Sequence, residues 1–92
     1  MESMLRQMGQ KYDQIRKQLA LNIRAMRGRK GLSQEDLAFA AGLDRTYISQ
    51  VERCVGNPSL KVLCSIAMVL EVDIQELFDA VADSALQALP PA

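Results

Sequence analysis

A chain of 92 residues with 49% apolar side chains, 4% aromatics and no Trp can build one small domain, packed by aliphatic residues and Met in helices rather than strands. It has no apolar run approaching the roughly 20 residues of a membrane helix, and Glu2 and Ser3 stand where a signal peptide would carry its basic region. Two cysteines and no histidine neither complete a zinc site nor supply the commonest general base. The expectation is therefore a cytoplasmic protein that is not an enzyme, with no metal, no cofactor and no evident small-molecule ligand.

The formal charge of zero hides a separation along the chain. All eleven bases lie at or before Lys61 against six acids, a net +5, whereas the rest carries five acids and no base. Such a chain can turn one face towards phosphates and repel them from another.

Taken in order, residues 1–13 form an extension that is helical or frayed. Met1, Leu5, Met8, Tyr12, Ile15 and Leu19 are spaced like a short coiled-coil seam that Gly9 weakens. The domain follows over 14–89, and Pro90-Pro91 marks a tail at 90–92. Ile15, Leu19, Ile23 and Met26 make one stripe of a first helix, closed by Arg27, Arg29, Lys30 and then Gly31. Ser33 and Asp36 form a capping-box pair opening a second helix, with Leu37, Ala38 and Ala41 on its apolar face and Gly42 in the turn after it.

Asp44 caps a third helix, from which Ile48 and Val51 face inward. After Asn57-Pro58-Ser59, a fourth helix carries Leu60, Leu63, Cys64, Ile66, Ala67 and Leu70, with Cys64 reading as a small core residue. Asp73 and Glu76 open a fifth with Ile74, Leu77, Phe78, Val81, Ala85 and Leu86. The whole is all-α, with five helices and an N-terminal helical extension.

Gln34, Ala38, Gly42, Leu43, Ile48 and Val51 have the spacing of two helices crossing steeply through a tight turn, with a small residue at the contact and Gly in the turn. The stretches Gly31 to Ala38, Ala41 to Ser49 and Glu52-Arg53 resemble the Cro and phage-repressor (Xre) class of helix-turn-helix proteins. The resemblance continues through Asn57-Pro58-Ser59-Leu60, Ile66-Ala67 and Glu76-Leu77-Phe78, and it implies a lambda-repressor-like domain. Within the class, Asp44 to Ser49 is similar to the recognition helix of restriction-modification controller proteins.

That resemblance implies a sequence-specific transcriptional regulator that binds double-stranded DNA as a homodimer on a pseudo-palindromic operator, through a recognition helix near 44–54. Gln34 would hold a backbone phosphate. Arg45, Thr46, Ser49 and Gln50 would face the major groove, Arg45 reading guanine, Gln50 adenine and the Thr46 methyl thymine. Tyr47 and Arg53 would serve phosphates; the alternatives are that Arg45 pairs with Glu35 or Asp44 and that Tyr47 packs on its own turn. Asn57, Ser59 and Lys61 would meet the neighbouring backbone. Arg27 and Glu52 would form a structural ion pair, and Ile74, Leu77, Phe78 and Val81 a dimer seam, with Phe78 as its anchor.

Where the class places Gly after Glu-Arg, this chain has Cys54, with Gly56 two residues later. The competing reading is an antitoxin-like or adaptor module that uses the same scaffold to hold a protein partner; the polar set Arg45, Gln50 and Arg53 argues against it.

Overall fold

The computed structural model describes residues 2–80, and these are helical without strands. Helix α1 runs unbroken over Glu2–Arg29, α2 over Gln34–Ala41, α3 over Arg45–Glu52 and α4 over Leu60–Leu70, followed by a 3-10 helix over Ile74–Phe78. The first helix thus starts well before Tyr12 and takes in the extension. At about 1.5 Å per residue its 28 residues reach about 42 Å.

The punctuation explains the boundaries. Ser33 Oγ accepts from the Asp36 N–H at 2.9 Å while the Ser33 N–H donates to Asp36 Oδ2 at 3.0 Å, a reciprocal box in which Asp replaces the usual Glu. Gly42 then adopts φ +71°, a left-handed conformation that lets the Leu43 N–H return to the Ala38 carbonyl at 2.8 Å. Asp44 occupies the N-cap position of α3 in extended backbone, but its side chain makes no capping hydrogen bond, contrary to the expectation. At α4 Ser59 Oγ accepts from the Val62 N–H at 3.1 Å.

One core gathers Leu19 and Ile23 of α1, Leu37 and Ala38 of α2, Ile48 and Val51 of α3, and Leu63, Ile66, Ala67 and Leu70 of α4. Leu77 closes it. Ile23, Leu37, Ile48, Ile66 and Leu77 are the largest side chains withdrawn fully from solvent, each contributing about 1.5–3 kcal/mol of transfer free energy.

Two expectations are corrected here. The segment opening at Asp73 forms a 3-10 helix of five residues, not a fifth α-helix; Val81, Ala85 and Leu86 lie outside the described residues. Cys64 is exposed, because it sits one position from Leu63 and two from Ile66, off the buried stripe of α4.

The 3-10 helix is held from the far end of the chain. Asn22, buried on α1, points Nδ2 at the carbonyls of Leu77 (2.9 Å) and Asp79 (2.8 Å). Asp73 is tied locally, its N–H donating to Glu76 Oε2 at 2.7 Å. No helix among the described residues is long and apolar enough to cross a membrane.

Candidate nucleic-acid interface

Helix α3 is short, and its position is fixed by what it buries. Ile48 and Val51 plug into the core while Glu52, one residue further on, is also buried. A buried carboxylate is tolerable only when paired, and Glu52 is paired from two other helices. Arg27 of α1, itself buried, donates Nε to Oε2 at 2.8 Å and Nη2 to Oε1 at 2.9 Å. Gln34 of α2 donates Nε2 to Oε1 at 3.2 Å, and Arg24 Nε lies 3.9 Å from the same oxygen. The two-pronged guanidinium contact fixes direction as well as distance, so α1, α2 and α3 meet at one carboxylate.

With that side anchored, the opposite side of α3 is presented outward. Arg45, Thr46, Gln50 and Arg53 are exposed and Ser49 is half-buried. Arg45, Thr46 and Ser49 line a shallow polar cleft of about 250 Å³. Arg53 folds back along the helix, its Nε donating to the Ser49 carbonyl at 3.3 Å. Asn57 and Lys61, beyond the loop, are exposed as well. Among the described residues no carboxylate pairs with Arg45, Arg53 or Lys61, which leaves this region cationic.

Three residues of the expected set are placed differently. Gln34 is buried and commits an amide hydrogen to Glu52, so in the free chain it braces the interior, and only its second amide hydrogen is available for a phosphate. Tyr47 is half-buried against the core, closer to the packing alternative than to an open phosphate contact. Ser59 Oγ accepts the cap hydrogen bond of α4, which fixes its rotamer, and its own proton is what it can donate to a phosphate.

The expected seam also changes. Leu77 is fully buried within the chain and can contribute nothing to an interface, because the 3-10 turn directs it into the core. Ile74 is half-buried against that core, Phe78 is exposed, and Val81 lies outside the described residues.

A helix-turn-helix family model matches residues 23–77, the span that holds the α2–α3 pair and its Glu52 anchor. The chain belongs to the Xre-type helix-turn-helix family.

Among helix-turn-helix relatives, the transcriptional regulator SlrR of Bacillus subtilis is 46% identical over 63% of this chain and 39% of its own length. The chain thus spans well under half of that regulator. The crystal structure of the restriction-modification controller protein C.AhdI from Aeromonas hydrophila superposes with a TM-score of 0.67 at 43% identity, covering 68% of this chain and 96% of that one. The controller protein C.Esp1396I, as a tetramer in complex with its natural 35 base-pair operator, gives a TM-score of 0.64 at 35% identity over 80% and 92% of the two chains. The family consists of DNA-binding transcription regulators rather than enzymes.

Against the helix-turn-helix pattern, Cys54 is the departure. It holds φ +60°, the left-handed conformation for which Gly is suited and which disfavours a Cβ. Arg16 supports it: Nη1 donates to the Cys54 carbonyl at 3.0 Å, and Cys54 Sγ approaches the Arg16 carbonyl at 3.8 Å. Neither this brace nor the Asn22 clasp was visible in the sequence. Both join a polar side chain on α1 to main-chain carbonyls far along the chain, and a main-chain carbonyl has no residue signature.

Proposed function

We propose that this chain is a cytoplasmic, sequence-specific transcriptional regulator that binds duplex DNA through α3 as a homodimer on a pseudo-palindromic operator, controlling its own or a neighbouring operon. The observation that carries this reading is the two-sided character of α3. Ile48, Val51 and Glu52 bind it into the domain while Arg45, Thr46 and Gln50 stand free on the other side.

In this reading Arg45 offers a guanidinium fork to guanine O6 and N7, Gln50 an amide to adenine, and the Thr46 methyl a contact to thymine. Ser49 lies between them. Arg53, Lys61, Asn57, Ser59 and the free hydrogen of Gln34 hold phosphates and set the register. One such helix reads only a few base pairs, so two copies, with recognition helices about 34 Å apart, are needed for useful discrimination. Phe78 remains the expected anchor between them. That C.Esp1396I is seen as a tetramer on its operator supports assembly on DNA.

Selection of bound sequences from a random duplex library tests the proposal. Enrichment of two inverted half-sites one helical turn apart is the expected result. Recovery of unrelated sequences, with binding governed by salt alone, would overturn it and favour an adaptor on the same scaffold.

A further inference from the structure

The apolar stripe of α1 does not stop where the domain does. Leu19, Ile23 and Met26 bury or half-bury that stripe against the core. The same face continues towards the N-terminus through Ile15, Tyr12, Met8, Leu5 and Met4, exposed by 49%, 42%, 60%, 61% and 63%. Every residue from 2 to 15 is exposed. A solitary helix of this length is marginal in water, and Gly9 within it costs about 1 kcal/mol more.

The geometry points to a second copy of this chain as the partner of that stripe, in an antiparallel two-helix coil centred on Gln10. The reason is self-complementarity. Leu5, Met8, Tyr12, Ile15 and Leu19 alternate at spacings of three and four, the a and d positions of a heptad. Reversing one helix about Gln10 sets Leu5 opposite Ile15 of the other copy and Met8 opposite Tyr12, so that every exposed seam residue meets a large apolar one.

The flanks agree with this register. Glu2 falls beside Arg16 of the other copy, whose guanidinium already serves the Cys54 carbonyl and Asp13 Oδ1, so Glu2 adds a second opposite charge there. Gly9 meets its own equivalent at the dyad; it is open to solvent in the single chain, and its lack of a Cβ lets two backbones approach there. On the other flank Lys11 faces Lys11, one like-charge contact. The parallel arrangement would instead bring Lys11 to Arg16 twice.

The area is at the lower limit for a specific interface. If each of the five side chains is given roughly the lower end of the 150–250 Å² of an aromatic residue and is fully covered, the exposed fractions leave at most about 500 Å² on each copy. The pair then buries at most about 1,000 Å², the threshold for a specific interface. This surface is separate from Phe78, so the two contacts together build a larger assembly than either alone.

Sedimentation equilibrium of the full chain, wild type against a Leu5→Glu/Met8→Glu double variant and against Phe78→Glu, tests the coil. The double variant is expected to halve the wild-type mass while keeping the domain's thermal transition and its affinity for a single half-site duplex. If Phe78 also joins copies, its variant halves the mass independently; if only the coil exists, Phe78→Glu leaves the mass unchanged.

For orientation, Gly9→Cys in a Cys54→Gly/Cys64→Ser background is expected to cross-link on mild oxidation. Three results would each overturn the proposal: an unchanged mass for the double variant, no cross-link at residue 9, or hydrogen-exchange protection of residues 4–15 that persists where the chain is monomeric. The last would mean that the chain's own residues cover the stripe.

Discussion

Arg16 and Cys54 hold each other across the domain, the guanidinium donating to the Cys54 carbonyl at 3.0 Å while the thiol approaches the Arg16 carbonyl at 3.8 Å. The contact fixes a residue whose φ of +60° works against its own side chain. Cys54→Gly keeps the carbonyl that Arg16 needs and removes the Cβ, so it is expected to stabilise the fold by about 1 kcal/mol. Cys54→Val, branched at Cβ, is expected to destabilise it. Urea denaturation of the two variants at equal concentration checks both signs.

Glu52→Ala is expected to cost about 3–5 kcal/mol, because it strands the buried Arg27 guanidinium without its carboxylate. The paired change Arg27→Met/Glu52→Leu removes both charges and is expected to cost less than Glu52→Ala alone. Chemical denaturation of Glu52→Ala, of the double variant and of its single components Arg27→Met and Glu52→Leu measures the difference. A double variant as unstable as the sum of its parts would mean that the two residues do not act as a pair.

At the start of α2, Ser33→Ala is expected to cost about 0.5–2 kcal/mol through loss of the cap. Asp36 adds a pH dependence. The Ser33 backbone N–H, and then its hydroxyl, hold the Asp36 carboxyl below its ordinary value. A carboxyl lowered in the folded state stabilises fully above the unfolded value, near 4, and that contribution is lost as pH falls through the lowered folded value. Asp36→Asn is therefore expected to flatten the acid side of a stability–pH curve and leave its slope near neutrality unchanged.

Arg45→Ala is expected to cost about 1–3 kcal/mol at one base step and relax the preference there, whereas Arg53→Ala weakens all sequences alike and lowers the salt slope by about 1. Titrations across operator variants at two salt concentrations separate these outcomes. Identical behaviour of the two variants would remove the division between reading and positioning.

Leu77 and Phe78 are adjacent yet opposite in role. Leu77→Ala is expected to destabilise the monomer by about 2–5 kcal/mol, while Phe78→Glu leaves the monomer's melting nearly unchanged and acts on self-association. Calorimetry together with sedimentation distinguishes them.

What could be read from the chain, and what could not, follows from where the signals reside. The Ser33–Asp36 box, Gly42 and the Ile48–Val51 pair are local, and each announces itself through residue type at a fixed spacing. The sequence cannot separate Leu77 from a seam residue, because an apolar residue on a stripe looks the same whether its own core or another molecule covers it. Its complete burial shows that the chain's own core is what covers it. The resemblance assigns Gln34 to phosphate, yet a buried carboxylate one helix away competes for the same amide. Asp44 has the right position and chemistry for a cap, but the sequence does not specify the rotamer that would deliver it.

The two ends of α3 are secured unequally. At the far end sit the Glu52 pairs and the Arg16 contact with Cys54; at the near end Asp44 contributes main chain alone. A lever clamped at one end keeps its aim while its tip can yield by a fraction of an ångström. The first turn, with Arg45 and Thr46, is thus where adjustment to a variant base pair is cheapest, and the last turn is where a mutation would deflect the whole rod.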